Sequence, residues 1–526
     1  MIRPHHPLPA HPQHASPPLL SNIAFSPLGL NYPSPPAIAA PEKLSETPKT
    51  VQVDRFQILG STVFDQWELA NITQPYEGRR LTLEEMQTAA DAVTRYYLDH
   101  GYLTSRAILA DQTLQSGTIK LQILEGKLAD ITIQGDTKLP KNYVRQRLLR
   151  AGRQPLNQEA LESQLQLLRT DPLFDAVEGV LRDGTAPTET NLDVKVQPAR
   201  PQFATLSLDN HGSPTVGRIT LSALTGIQNA TNHADTLSLG LVRSAGTQLY
   251  NLTYQRPLNP NQGTLTFRIA PVTYRVTQSD LQTLNITGTG NLYNLTLRQP
   301  LTRQITQEFA LTAGITQRSG KTLIADTLID ENGTTTLHLG QDWLKRDKKG
   351  LWTAKTQLNL GKAKNTTDNT TDTFLTWTGQ IQRIHKLSKK QTLTAELNWQ
   401  WAPNALPPAQ QFTLGGFQSL RGYPSSFLSG DGGLTLTLTN QITLQKTRKG
   451  DPRLQIAPFL DFGTLWQAIP PTVPTQNPLF LSSGLTLTWN PRQNWTLSAD
   501  LALPLSKTNL ETPPTPTLYL NSNYRF

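Results

Sequence analysis

The 526-residue chain contains no cysteine. Disulfides and thiolate metal sites are therefore excluded, and a bacterial envelope is compatible with the absence. No apolar run approaches the ~18 residues of a spanning helix, so helical membrane crossing is excluded as well. Charged residues make up only 17%, below the usual quarter or so, yet mean hydropathy is −0.39. Low charge without high hydropathy suits a transmembrane barrel, in which lipid-facing apolar residues alternate with polar lumen residues. No Gly-x-x-x-x-Gly-Lys-Ser/Thr string occurs, so no phosphate cradle is evident. Histidines are few. Beyond the N-terminal segment they are His100, His211, His233, His338 and His385, with no Ser/His/Asp motif around them. An enzyme on a barrel is disfavoured, and no metal or cofactor is expected. The net charge is +9, but Lys and Arg are scattered. The densest group, Lys345-Arg-Asp-Lys-Lys349, reads as a solvated hairpin tip, and no nucleic-acid partner is expected.

Composition changes along the chain. Residues 1–50 are rich in Pro, Ser, Ala and His and cannot bury a core, so a disordered Pro-rich segment is expected. His5, His6, His11 and His14 within it read as tail residues. No apolar run of signal-peptide length follows the start, so a signal peptide is expected to be missing or to lie upstream. Residues 51–127 read as a first α+β module. A strand spans 51–58, a turn 60–64 and a short helix 65–71. Thr82 and Glu85 form a capping box. Leu83, Met86, Ala90, Val93 and Tyr97 mark one helical face ended by Gly101, and strands follow at 105–110 and 118–124. Residues 128–199 repeat the β-α-α-β-β order. The second module has a strand at 129–134, a helix at 143–150, and a helix capped by Asn157 that buries Leu161, Leu165 and Leu168. Strands at 177–181 and 191–196 complete it. Two consecutive modules of one order signal an array.

From residue 200 to 526 the pattern is all-β. Sixteen candidate strands begin near Phe203, Pro214, Ala234, Gly246, Gly263, Gly288, Gln304, Glu331, Gly350, Thr373, Gln391, Gly433, Arg453, Phe480, Asn494 and Pro516. A spanning strand needs ~9–11 residues, so this length suits a 16-stranded antiparallel transmembrane β-barrel. Short connections at 244–246 and 388–390 read as periplasmic turns. The longest connection, about 402–432, contains Leu414-Gly-Gly-Phe-Gln-Ser-Leu-Arg-Gly-Tyr-Pro-Ser-Ser426 and Ser429-Gly-Asp-Gly-Gly433. Its glycines allow tight folding back, and its one strong cation, Arg421, needs an acidic partner if buried. A plug inside the barrel explains such a loop better than an active site does. Asp461, in Ala457-Pro-Phe-Leu-Asp-Phe-Gly463, is a carboxylate in an apolar strand and should face the lumen. It is the natural partner for Arg421 in a bidentate pair. Gly422 and Gly463 would permit close approach, and Tyr423 would wedge against the wall. The pair either staples the barrel interior or holds a gating plug, and the two roles overlap. Tyr524 and Phe526 put two aromatics on one face of the last strand, a normal interfacial girdle.

The Arg-Gly-Tyr loop resembles that of the two-partner secretion transporters of the hemolysin activator/secretion type. Several N-terminal strings resemble their polypeptide-transport-associated (POTRA) domains. These are Phe56-Gln-Ile-Leu-Gly60 with Thr62, Phe64 and Leu69, Tyr97-Leu-Asp-His-Gly-Tyr102 with Ser105-Arg-Ala107, Leu124-Glu-Gly-Lys-Leu128, and Leu167-Leu-Arg-Thr-Asp-Pro172. Leu208-Asp-Asn-His-Gly-Ser213 with Gly217 also matches. Tyr254-Gln-Arg-Pro-Leu258 and Leu297-Arg-Gln-Pro-Leu301 match too, and read as turn chemistry at strand ends. The resemblance implies a Gram-negative outer-membrane pore with periplasmic POTRA domains that binds an unfolded, β-helical exoprotein and exports it without nucleotide hydrolysis. It implies an Arg421–Asp461 lock between loop and wall. It also implies that Tyr524 and Phe526 form a signal read by the barrel-assembly machinery, although the usual upstream glycine is missing. Contact is implied with the secreted exoprotein, outer-membrane lipid and that machinery. The alternative is a barrel-assembly insertase, which shares the loop but carries a longer POTRA array. A nutrient porin would not need two such modules.

Overall fold

The computed structural model describes residues 50–112, 117–135, 138–140, 142–152, 155–367, 369–468, 479–506 and 515–526. The Pro-rich segment and its four histidines lie outside the described residues. The chain divides into two compact units at the junction of Ala199 and Arg200.

In the N-terminal unit, β1 (Val51–Val53) and β2 (Arg55–Leu59) precede α1 (Gln66–Thr73), β3 (Arg79–Leu81) and α2 (Leu83–Asp99). β4 (Arg106–Leu109) and β5 (Thr118–Leu124) follow. β2, β5 and β4 form one sheet, while β1 pairs with β3, a strand the sequence reading lacks. Thr82 accepts from the Glu85 backbone N–H and Glu85 reaches back, closing the capping box. Met86, Ala89, Ala90, Val93 and Tyr97 are buried. Leu83, expected on that face, is exposed. It keeps the three-residue step to Met86, but at the first helical position its side chain leans back past the helix N-terminus. Tyr97 donates to Ser61 at 2.8 Å, and its burial raises its hydroxyl pKa to about 12.

The second module has β6 (Lys127–Gln134), α3 (Asn142–Leu148), α4 (Gln158–Arg169), β7 (Phe174–Asp183) and β8 (Glu189–Pro198), with sheet order β6-β8-β7. Asn157 caps α4 by accepting from Ala160 N–H at 3.1 Å, and Leu161, Leu165 and Leu168 are buried. The joint between modules is bonded directly. Leu156 N–H donates to the Gly126 carbonyl at 2.7 Å, and Gln158 N–H to the Gly101 carbonyl at 2.9 Å.

The second unit is a closed antiparallel barrel. Its strands are β9 (Gln202–Asp209), β10 (Thr220–Gln228), β11 (Thr236–Arg243), β12 (Thr247–Pro257), β13 (Thr264–Ile269), β14 (Val272–Arg275), β15 (Ile286–Arg303), β16 (Gln307–Ile324), β17 (Thr327–Asp347), β18 (Gly350–Asn365), β19 (Thr370–Lys386) and β20 (Gln391–Trp401). A short hairpin of β21 (Phe412–Leu414) and β22 (Leu428–Gly430) interrupts the series. It resumes with β23 (Gly432–Lys446), β24 (Pro452–Trp466), β25 (Phe480–Arg492), β26 (Trp495–Pro504) and β27 (Thr517–Arg525). β13 and β14 both lie between β12 and β15, so they fill one position and the wall has sixteen. β27 closes on β9, with Arg525 opposite Thr205.

Alternation sets the two faces. Leu237, Leu252, Leu295, Leu337, Leu358, Leu487 and Leu520 are exposed on the outside, while Thr, Asn and Gln dominate the alternate positions. Exposed tryptophans edge the apolar band: Trp343, Trp352, Trp489 and Trp495 toward one rim, Trp377 and Trp401 toward the other. Such girdles mark the two membrane interfaces. The chain comes in at Arg200 and ends at Phe526 on the same rim, where Phe526 N–H bonds the Ala204 carbonyl. This inner rim carries residues 388–390. Residues 244–246 lie on the opposite, outer rim, where Gly246 N–H bonds the Val216 carbonyl, so their reading as a periplasmic turn is corrected. Connection length does not fix the rim; strand parity does. β10 starts at Thr220 rather than near Pro214, because 210–219 is a connection. Leu297–Leu301 is not a strand end either. It lies within β15, where a bulge between Pro300 and Thr302 accommodates the missing N–H.

Candidate functional site: the loop seated on the barrel wall

The chain leaves β20 at the outer rim and returns to β23 only at Gly432. Between them β21 and β22 pair Leu414 with Leu428, and the tip folds tightly beyond them. Gly415 and Gly416 have φ of 107° and 86°, a region open to glycine and strained for other residues. Ser419 Oγ accepts from Gly415 N–H at 2.9 Å and donates to its carbonyl at 3.0 Å. Gly416 N–H reaches the Tyr423 carbonyl at 3.0 Å, closing the turn.

That turn delivers Arg421 to Asp461 on β24. Arg421 Nε donates to Asp461 Oδ2 at 2.8 Å and Nη2 to Oδ1 at 2.7 Å. The Arg421 backbone N–H adds a third bond to Oδ2 at 3.2 Å. Asp461 is only 1% exposed, so an unpaired carboxylate there would be costly. Asp500 on β26 stands 3.7 Å from Arg421 Nη1, and the guanidinium lies 3.3 Å over the Phe459 ring. Two carboxylates and an aromatic face therefore hold one cation.

The neighbours complete the seat. Gly422 has φ 85° and donates its N–H to the Tyr519 hydroxyl at 3.2 Å. Tyr423 is 1% exposed; its hydroxyl donates to the Leu481 carbonyl at 2.9 Å and accepts from Ser506 N–H at 3.2 Å. A Cβ on Gly463 would stand 2.9 Å from Leu414 Cδ2, so its lack of a side chain lets the loop hairpin lie on the wall. Phe417 stacks on His211, centroids 3.6 Å apart, and meets Tyr519 edge-on at 5.3 Å. Tyr524 and Phe526 lie elsewhere, at the inner rim, 4.8 Å apart and on the outward face shared with Leu518 and Leu520.

Sequence reasoning missed Asp500 and Asp431. Asp500 carries the same signal that singled out Asp461, a carboxylate at a lumen phase of an apolar strand. Asp431 sits among glycines and looks like turn chemistry. It is 2% exposed and accepts from Leu406 N–H at 2.8 Å and Ala468 N–H at 2.9 Å. It thereby ties the base of the loop to the next outer-rim connection.

Against known families, residues 188–487 match a family model described as haemolysin secretion/activation protein ShlB/FhaC/HecB, more than half of the chain. The chain belongs to this family. Residues 51–126 match a ShlB-type POTRA domain. A similar relative is the outer membrane transporter CdiB of Dickeya dadantii, 25% identical over 71% of this chain and 69% of that protein. The heme/hemopexin transporter protein HuxB of Haemophilus influenzae is 29% identical, over 35% of this chain and 33% of its own. Among solved structures, CdiB from Escherichia coli superposes with a TM-score of 0.70 at 20% identity, covering 94% of each chain. BamA from Haemophilus ducreyi, lacking POTRA domains 1–3, gives 0.55 at 14% identity over 91% of this chain and all of its own. Both structures share the fold. Family membership separates the ShlB-type transporters from the insertase alternative. This ShlB-type protein is an outer-membrane transporter of exoproteins and not an enzyme, and its POTRA region is periplasmic.

Proposed function

We propose that this chain is the outer-membrane pore of a two-partner secretion pair, and that the Arg421–Asp461 lock holds its loop inside the barrel as a plug required for export. The observation that carries the reading is the three-bond clasp of Arg421 on a wall carboxylate that is 1% exposed. Gly422 and Gly463 give the loop its close approach, and Tyr423 wedges it between β25 and the connection after β26. The exported partner enters as an unfolded chain and becomes β-helical outside. The POTRA modules capture it by adding it as a strand to an open sheet edge, β2 or β4 in the first and β6 or β7 in the second. Folding outside the cell supplies direction without nucleotide. Tyr524 and Phe526 serve the barrel-assembly machinery as a terminal signal while also anchoring the inner-rim girdle.

The test is single-channel conductance in a planar bilayer together with export of a cognate partner. Wild type should show discrete steps and export. Arg421→Ala should change the steps and abolish export while leaving a heat-modifiable barrel. Unchanged conductance and export in that variant would remove the lock.

A further inference from the structure

We propose that the lumen wall opposite the seated loop carries a carboxylate-binding site built on Arg268 and Arg318, past which acidic stretches of the exported chain travel. The identity of the ligand rests on the transport reading; the anion site itself rests on geometry.

The loop's seat and the two arginines face each other across the barrel. Asp461 and Asp500 lie on β24 and β26, the thirteenth and fifteenth wall positions, and Arg268 and Arg318 on β13 and β16, the fifth and seventh. Half a circumference separates the two sets. Leu414, Leu420, Tyr423 and Phe417 pack on the β24–β27 side, so the space left by the loop borders the arginines.

Arg268 is 7% exposed, and its Nε donates to Asn251 Oδ1 at 2.7 Å. Among the described residues, neither Arg268 nor Arg318 has a carboxylate within 4 Å, whereas lumen-facing Arg298 holds Glu308 at 2.6 Å and Asp342 at 2.7 Å. The buried guanidinium of Arg268, among neutral groups, is costly without a counter-charge, while Arg318 is exposed to the lumen. The register places the two arginines on one patch. Arg268 is opposite Asn294, Asn294 is opposite Thr316, and Arg318 is the next residue on the same face. Two strand spacings across and one alternation along amount to roughly 10 Å by 7 Å, a span two arginines can close on one ligand. Asn294 is engaged with Thr316 at 2.8 Å and supplies no charge. Guanidinium groups match carboxylates in two-point geometry, and a polypeptide in transit brings its own carboxylates past them.

The full-length protein in planar bilayers under a KCl gradient gives the test. Wild type should show a reversal potential favouring chloride. R268Q/R318Q should shift it toward cation preference, and R268K/R318K should keep the wild-type sign. Poly-glutamate on the inner-rim side should depress wild-type conductance and act weakly on R268Q/R318Q, with poly-glutamine inert on both. An unchanged reversal potential in R268Q/R318Q overturns the site. A shifted potential with poly-glutamate acting no better than poly-glutamine overturns the carboxylate assignment and leaves a small-anion site. Heat-modifiable migration verifies that each variant is folded, and if the double variant fails, R268Q and R318Q are read singly. Failure of wild type to export any partner would overturn the transport reading without touching the selectivity result.

Discussion

At Arg421 one guanidinium serves two carboxylates of unequal weight. Arg421→Ala leaves Asp461 with a backbone N–H that the substitution frees to move and a Ser482 hydroxyl at 3.4 Å. Such an abandoned charge costs about 3–5 kcal/mol. Asp461→Ala leaves Arg421 with Asp500, so its loss should be smaller. Removing both partners should be no worse than Arg421→Ala alone. Thermal unfolding of the four proteins as a double-mutant cycle checks this, and additive losses would mean the pair does not couple. Tyr97 offers a pH-dependent counterpart in the periplasmic region. Its hydroxyl holds its proton up to about 12, while an unfolded tyrosine ionises near 10. Below about pH 10 both states are protonated and nothing is lost. Between the two values only the unfolded chain gives up the proton, so stability falls as pH rises through that window. Tyr97→Phe should flatten the fall, as measured by urea unfolding across it.

The loop, as an element, depends on the left-handed backbone at Gly422 and on one buried acid, with Gly450 in the β23–β24 turn as a control outside it. Gly422→Ala places a Cβ 3.2 Å from Pro504 N at φ 85°, and a left-handed backbone alone costs about 1–2 kcal/mol. Gly450→Ala, at φ 93° with nothing within 4 Å, incurs only the backbone term. Export should therefore fall in the first variant and persist in the second. Asp431→Ala strands the N–H groups of Leu406 and Ala468, each worth about 1–3 kcal/mol when left unmet. Limited proteolysis should then cut within 402–411 faster than in wild type. Legibility at this scale was uneven. Thr82 with Glu85 and Asn157 announced their helices because caps are local chemistry. The rim of residues 244–246 was not legible, since it follows from counting strands around the whole barrel. Leu83 was misplaced because a residue at the first helical position escapes the face its neighbours bury.

For the whole molecule, closure and membrane fit are decided together. β27 completes the ring against β9, and Trp495 lies opposite Tyr524 in the inner-rim girdle. Deleting residues 524–526 removes girdle aromatics and the Phe526–Ala204 bond. The amount of heat-modifiable protein in the outer membrane should drop, measured against a Phe526→Trp variant that keeps the aromatic.

The sequence alone indicated two α+β modules, a count of sixteen barrel strands and Arg421 as the natural partner for Asp461. Each rests on local spacing, or on a buried charge that must find its opposite. Tertiary structure alone decided that Asp500 shares the cation, that Asp431 anchors the loop base and that Arg268 and Arg318 lie across from the loop. Those relations join residues far apart in the chain, and only ring closure fixes which strands stand side by side and which stand opposite.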